Sequence, residues 1–247
     1  MSHHIVSISG RVARRNFFLV FLIFCAAIAP RARAANVELT YLFHEPAKAS
    51  ERPPLIVLLH GSGADESDMI GLWAQLPEGF IVVSPRAPFG DPAHGYRWYR
   101  KGTSTAADIR LSRGAIVRVV EAAIDRFHAD PQRVFLAGFS QGAVLVYHAV
   151  LYEPGRFRGA AVLSGSLYAF DARELSTQND RMRASLFIGH GTADERIPFA
   201  SGKAAHTELD RLGMPNEFHA YAGMHHEIQD REIKDLDAWL ISRSGAQ

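Results

Sequence analysis

Gly138-Phe139-Ser140-Gln141-Gly142 lies between an apolar run, Val134 to Ala137, and a helical pattern, Ala143 to Tyr152. A strand that turns sharply into a helix through Gly-x-Ser-x-Gly holds a serine hydroxyl exposed at the turn. The glycines at 138 and 142 fit that geometry, because tight backbone and close approach of helix to strand leave no room for a side chain at either position. Ser140 is therefore the candidate nucleophile. A serine hydroxyl is a poor nucleophile unaided, so a histidine base, an acid to orient it and backbone donors for a developing oxyanion should lie elsewhere in the chain.

Working outward, short apolar runs rich in β-branched residues occur at Val37 to Phe43, Leu55 to Leu59, Phe80 to Ser84, Arg133 to Ala137, Gly159 to Leu163, Ser185 to Gly189 and Glu217 to Tyr221. Most read as strands buried on both faces. Helical patterns separate them: Ala106 to His128, with Ile109, Ile116, Val120, Ala123 and Phe127 on one stripe; Ala200 to Leu212, closed by Gly213 with Pro215 beyond; and Glu227 to Ser242, with Ile233, Leu236, Trp239 and Leu240 on one face. This alternation predicts an α/β domain with a mostly parallel central sheet and helices on both faces. Only about twenty residues separate Leu163 from Ser185, too few for a cap domain.

The first 34 residues read as a signal peptide. Arg11, Arg14 and Arg15 precede a 13-residue apolar run, Phe17 to Ala29, and Ala32-Arg33-Ala34 supplies a cleavage site. The run is short of the roughly 20 residues of a membrane helix, which argues against stable membrane insertion after cleavage. Arg14-Arg15-Asn16-Phe17-Phe18-Leu19 also resembles a twin-arginine export signal. Export to the periplasm or the extracellular space is expected, with residues 35–247 as one catalytic domain. Removing residues 1–34 takes away five arginines and no acid, so 22 of the 27 basic residues remain against 26 acidic ones. A mature charge of about −4 with no basic cluster gives no reason to expect nucleic acid as a partner. Cys25 departs with the leader, which excludes a thiol nucleophile and a disulfide.

Ligands of such sheets bind beyond the carboxyl ends of the strands, and the chemistry-bearing residues follow those ends. His60-Gly61-Ser62-Gly63 follows Leu55 to Leu59; Gly189-His190-Gly191-Thr192-Ala193-Asp194-Glu195 follows Ser185; Gly223-Met224-His225-His226-Glu227-Ile228 follows Tyr221. Asp194 is the candidate acid with Glu195 as its alternative, and either His225 or His226 can be the base. His60 and His190 each open a His-Gly turn and read as loop-bracing residues. No metal or cofactor is called for: His226-Glu227 lacks the second histidine of a zinc-protease helix, since Asp230 stands there, and no lysine follows Gly63 as a phosphate loop requires.

The chain resembles the phospholipase/carboxylesterase family of α/β-hydrolases, which includes acyl-protein thioesterases and small bacterial carboxylesterases. Leu58 to Gly63, Gly138 to Gly142, Ser164-Gly165-Ser166-Leu167, His190 through Pro198 and His226-Glu227-Ile228 match its blocks in order across nearly the whole mature chain. It departs at His225, where the family usually has glycine. The resemblance implies an α/β-hydrolase fold and a catalytic set of Ser140, Asp194 and His226. It further implies an oxyanion hole from the backbone N–H groups of Ser62 and Gln141, and substrate contacts from Gly61, Trp98, Leu167 and His225, with Trp98 in the aromatic loop Tyr96-Arg97-Trp98-Tyr99. The activity it implies is hydrolysis of a small-molecule ester, short-chain or exposed, through an acyl-enzyme on Ser140; the alternatives are a serine peptidase or thioesterase on the same triad, or a non-catalytic binding protein. A histidine base works neutral, so activity should fall on acidification through roughly pH 6 to 7.

Overall fold

The computed structural model describes residues 37–48, 50–103, 105–153, 155–168 and 184–245. Residues 1–34, where a signal peptide is expected, and most of the Leu163 to Ser185 stretch that bears on a cap domain, lie outside the described residues.

Nine strands and five α-helices are described. They are β1 (Tyr41–His44), β2 (Leu55–Leu59), α1 (Glu66–Ile70), β3 (Ile81–Pro85), β4 (Phe89–Asp91), β5 (Gly95–Arg97), α2 (Thr105–Phe127), β6 (Val134–Phe139), α3 (Gln141–Tyr152), β7 (Gly159–Leu163), β8 (Ser185–Gly191), α4 (Phe199–Arg211), β9 (Asn216–Tyr221) and α5 (Asp230–Ser244). Seven strands form one sheet in the order β1-β3-β2-β6-β7-β8-β9. Only β1 runs antiparallel, against β3; every other neighbour pair in this sheet is parallel. The chain steps from β2 to β3 on one side and later returns to lay β6 on the other, so the strand order reverses at the β2/β6 boundary. That reversal opens a crevice at the carboxyl end of the sheet.

Successive side chains of a strand point to opposite faces of the sheet, and this alternation explains the layers. Leu55, Val57 and Leu59 pack with Ile109 and Ile116 of α2, Val144 of α3 and Leu209 of α4. Ile56 and Leu58 point the other way, to Met69 of α1 and to Leu236, Trp239 and Leu240 of α5. Each such side chain, fully buried, contributes about 1.5–3 kcal/mol of transfer free energy.

The structure differs from the sequence reading in several places. The first strand begins at Tyr41 and not Val37, because its partner β3 ends at Pro85, which has no amide to donate; one further bond, Arg86 N–H to Thr40 O at 2.8 Å, closes the ladder. The last helix begins at Asp230 and not Glu227, after Gln229 in extended backbone. The edge strands β1 and β9 are only partly buried, unlike the five strands between them. The β4–β5 hairpin has no counterpart in the expected elements. It binds the turn after β2: Gly63 N–H donates to Tyr96 O at 2.8 Å and Tyr96 N–H to Ala64 O at 2.9 Å.

Candidate active site

Ser140 occupies the turn between β6 and α3 with φ 54° and ψ −112°, a backbone conformation that costs a non-glycine residue on the order of 1–3 kcal/mol. The surroundings hold it there. A Cβ on Gly142 would stand 2.2 Å from Leu59 O, and one on Gly138 would stand 2.6 Å from Gly142 C, so both glycines are required by the closeness of α3 to β2 and β6. Ser140 N–H donates to Leu163 O of β7 at 3.0 Å, which fastens the elbow to the next strand.

His226 Nε2 lies 2.8 Å from Ser140 Oγ, and its Nδ1 lies 2.8 Å from Asp194 Oδ2. The three residues come from the ends of β6, β8 and β9. The imidazole ring is almost buried and the Asp194 side chain fully so. The other oxygen, Asp194 Oδ1, accepts the backbone N–H groups of Arg196 at 2.9 Å and Ile197 at 2.8 Å. Burial alone would raise this carboxyl, but the His226 hydrogen bond and the two amides outweigh it and hold it below the usual carboxylate range. Asp194 is thus a fixed anion on the far side of the ring. Its alternative, Glu195, is exposed and faces His225 Nδ1 at 3.2 Å.

The backbone N–H groups of Ser62 and Gln141 donate no hydrogen bond among the described residues. Both residues share a cleft of about 760 Å³ with Ser140 and His226. Two free donors beside a serine hydroxyl can stabilise the charge that develops on a carbonyl oxygen under attack. The side chain of Gln141 works separately as a clamp. Its Oε1 accepts Trp98 N–H at 2.7 Å and its Nε2 donates to Tyr99 O at 2.8 Å. Sequence reading missed this clamp, although Gln141 stands in plain view between Ser140 and Gly142.

Four residues expected to touch substrate are not on the described wall of this cleft. Trp98 is fully buried and donates its indole N–H to His60 O at 2.9 Å, bracing the turn that carries Ser62. Gly61 is buried, and a Cβ there would stand 3.2 Å from the Phe139 ring and 3.6 Å from Ser140 Cβ, so the position serves close approach of the turn to the elbow. Leu167 packs on the core, while its neighbours Ser166 and Tyr168 line the cleft. His225 is exposed, pairs with Glu195 and is absent from the cleft wall. The bracing histidines are tied into their loops by ring hydrogen bonds. His60 Nδ1 donates to Gly61 O at 2.7 Å while Nε2 accepts Ala87 N–H at 3.1 Å, and burial lowers its pKa. His190 Nε2 donates to Ile197 O at 2.9 Å and also lies 3.4 Å from Asp194 Oδ2, a second contact that its position in the sequence did not reveal.

Comparison with known proteins agrees with this architecture. The carboxylesterase SOBER1 of Arabidopsis thaliana is 34% identical over 130 residues, 51% of this chain and 57% of that protein. Acyl-protein thioesterase 1 of Saccharomyces cerevisiae is 29% identical over 131 residues, 52% of this chain and 57% of that protein. The chain thus spans about half the length of the curated relatives it matches. The crystal structure of a carboxylesterase from Mesorhizobium loti superimposes with a TM-score of 0.70 at 25% identity, covering 83% of this chain and 96% of that one. A family model described as Phospholipase/Carboxylesterase matches residues 45–242, from before β2 through the elbow and the histidine loop into α5, and the chain belongs to that family of α/β-hydrolases.

Proposed function

We propose that the protein is a serine carboxylesterase that hydrolyses short-chain or exposed carboxylic esters through an acyl-enzyme on Ser140. The observation that carries this reading is the unbroken line Ser140 Oγ, His226, Asp194, with both contacts at 2.8 Å. His226 Nε2 takes the hydroxyl proton as Oγ attacks the ester carbonyl, and the anion so formed lies toward the N–H groups of Ser62 and Gln141. Collapse of the tetrahedral species expels the alcohol, which receives the proton from His226. Water then attacks the acyl-enzyme by the same route, releasing the carboxylic acid and restoring Ser140. Asp194 holds the proton of the imidazole on Nδ1, leaving Nε2 free to accept, and steadies the imidazolium between the two transfers.

The test is turnover of p-nitrophenyl acetate and butyrate by the purified protein, expected in the wild type and lost to background in Ser140→Ala. Turnover that survives the substitution removes the assignment. The yeast thioesterase among the relatives favours a second acyl donor, a thioester on the same triad, and the ratio of thioester to ester turnover decides between them. Export is part of the same proposal, supported by the basic, apolar and Ala-x-Ala order of residues 11–34. Recovery from the periplasm of a bacterial host, with an N-terminus near Ala35, is the expected result; an intact Met1 in the cytoplasm would overturn it.

A further inference from the structure

The cleft that holds Ser140 and His226 carries two cations and no carboxylate on its described wall: Arg196 and Lys101 line it together with Tyr99 and Tyr168. Among the described residues neither cation has an ion-pair partner, whereas arginines elsewhere are commonly matched, as Arg86 is by Glu66, Arg100 by Asp108 and Arg211 by Glu208. The two acids that precede Arg196 in sequence are engaged. Asp194 is buried behind His226, and Glu195 lies against His225.

Both cations stand on backbone that is held. The main-chain N–H of Arg196 donates to Asp194 Oδ1, so the side chain leaves from the same turn that fixes the acid. Lys101 follows a segment pinned at both ends. Gln141 holds Trp98 and Tyr99, Asp108 takes both Nε and Nη2 of Arg100 at 2.9 Å, and Thr105 Oγ1 donates to the carbonyls of Arg100 at 2.9 Å and Gly102 at 2.7 Å. Two unmatched positive charges in the same cleft as the Ser140 hydroxyl run against the sign of residues 35–247, which hold 26 acids to 22 bases. A cleft with one sign of charge draws in the opposite sign and holds it, most firmly where arginine can fork onto a carboxylate or phosphate.

We infer that the ester this cleft selects carries its own negative charge, a carboxylate or phosphate bound by Arg196 and Lys101. Arg196 and Lys101 are then specificity determinants of the esterase reaction proposed above, and the inference rests on that reading.

The test compares kcat/KM within two substrate pairs: mono-p-nitrophenyl adipate against p-nitrophenyl hexanoate, with the charge on the acyl side, and butyryl glycerol 3-phosphate against glycerol monobutyrate, with a phosphate on the alcohol side. The charged member of at least one pair should be preferred about tenfold, the size of one charge-assisted hydrogen bond. The preference should shrink at 0.5 M salt, where screening shortens to a few ångströms. It should vanish in the Arg196→Gln, Lys101→Gln double variant and persist in Arg196→Lys, chiefly through KM. Ratios near one in both pairs, or a preference that the double variant keeps, would overturn the inference while leaving the esterase intact. Failure to turn over any of the four esters would remove both.

Discussion

Asp194 is a single carboxylate asked to do two things: it accepts the His226 ring on one oxygen and two backbone amides on the other. The amides hold the loop; the ring contact sets which imidazole nitrogen carries the proton. Asp194→Asn keeps the shape and removes the charge, so kcat for p-nitrophenyl butyrate should fall by about 10³–10⁴ with KM little changed, the size of loss expected when the base takes the wrong tautomer. A fall of less than tenfold would remove the orienting role from Asp194. Residue types and order alone led to Ser140 and Asp194. They did not separate His225 from His226, because two adjacent loop histidines look alike until the backbone aims one inward and the other at Glu195.

At the scale of elements, the closeness of α3 to β2 is the constraint that the rest of the site obeys. Gly142→Ala places a methyl group 2.2 Å from Leu59 O, a backbone atom that cannot step aside. The variant should lose on the order of 1–3 kcal/mol of stability, read by urea unfolding, and lose activity even where it remains folded. A variant as active and stable as the wild type would mean that the elbow is looser than described. The central strands were legible as unbroken apolar runs buried on both faces, and the long helices because an apolar period of 3.6 runs their whole length. The β4–β5 hairpin was not. Its three-residue strands, Phe89–Asp91 and Gly95–Arg97, are too short for a period to show, and their pairing depends on Gly90 and Gly95, both at positive φ and crowded by neighbouring backbone. Trp98 read as a substrate contact because the resemblance places an aromatic loop beside the site, and nothing local to Tyr96-Arg97-Trp98-Tyr99 says that the β4–β5 hairpin binds the turn after β2.

For the molecule as a whole, one buried acid shapes the response to pH. Glu232 of α5 is fully buried against Gly189 of β8, and its carboxyl has no ion-pair partner among the described residues. Burial pushes its pKa up to about 8 from 4.5. The folded protein therefore keeps the proton where the unfolded chain has lost it, so this group's contribution is complete below about pH 4.5 and is lost as pH rises toward 8. In Glu232→Gln no such titration occurs. From pH 5 to pH 8 the stability difference should move in the variant's favour by on the order of 3 kcal/mol, and a difference that stays constant across that range would place the side chain in water. Trp98, enclosed and hydrogen-bonded to the carbonyl just before Gly61, gives the site its own optical reporter. With Trp73 and Trp239 replaced by phenylalanine, its emission would start blue and shift red when the hairpin lifts away. Fluorescence would then time the dismantling of the anion-stabilising turn separately from the melting of the sheet beneath it.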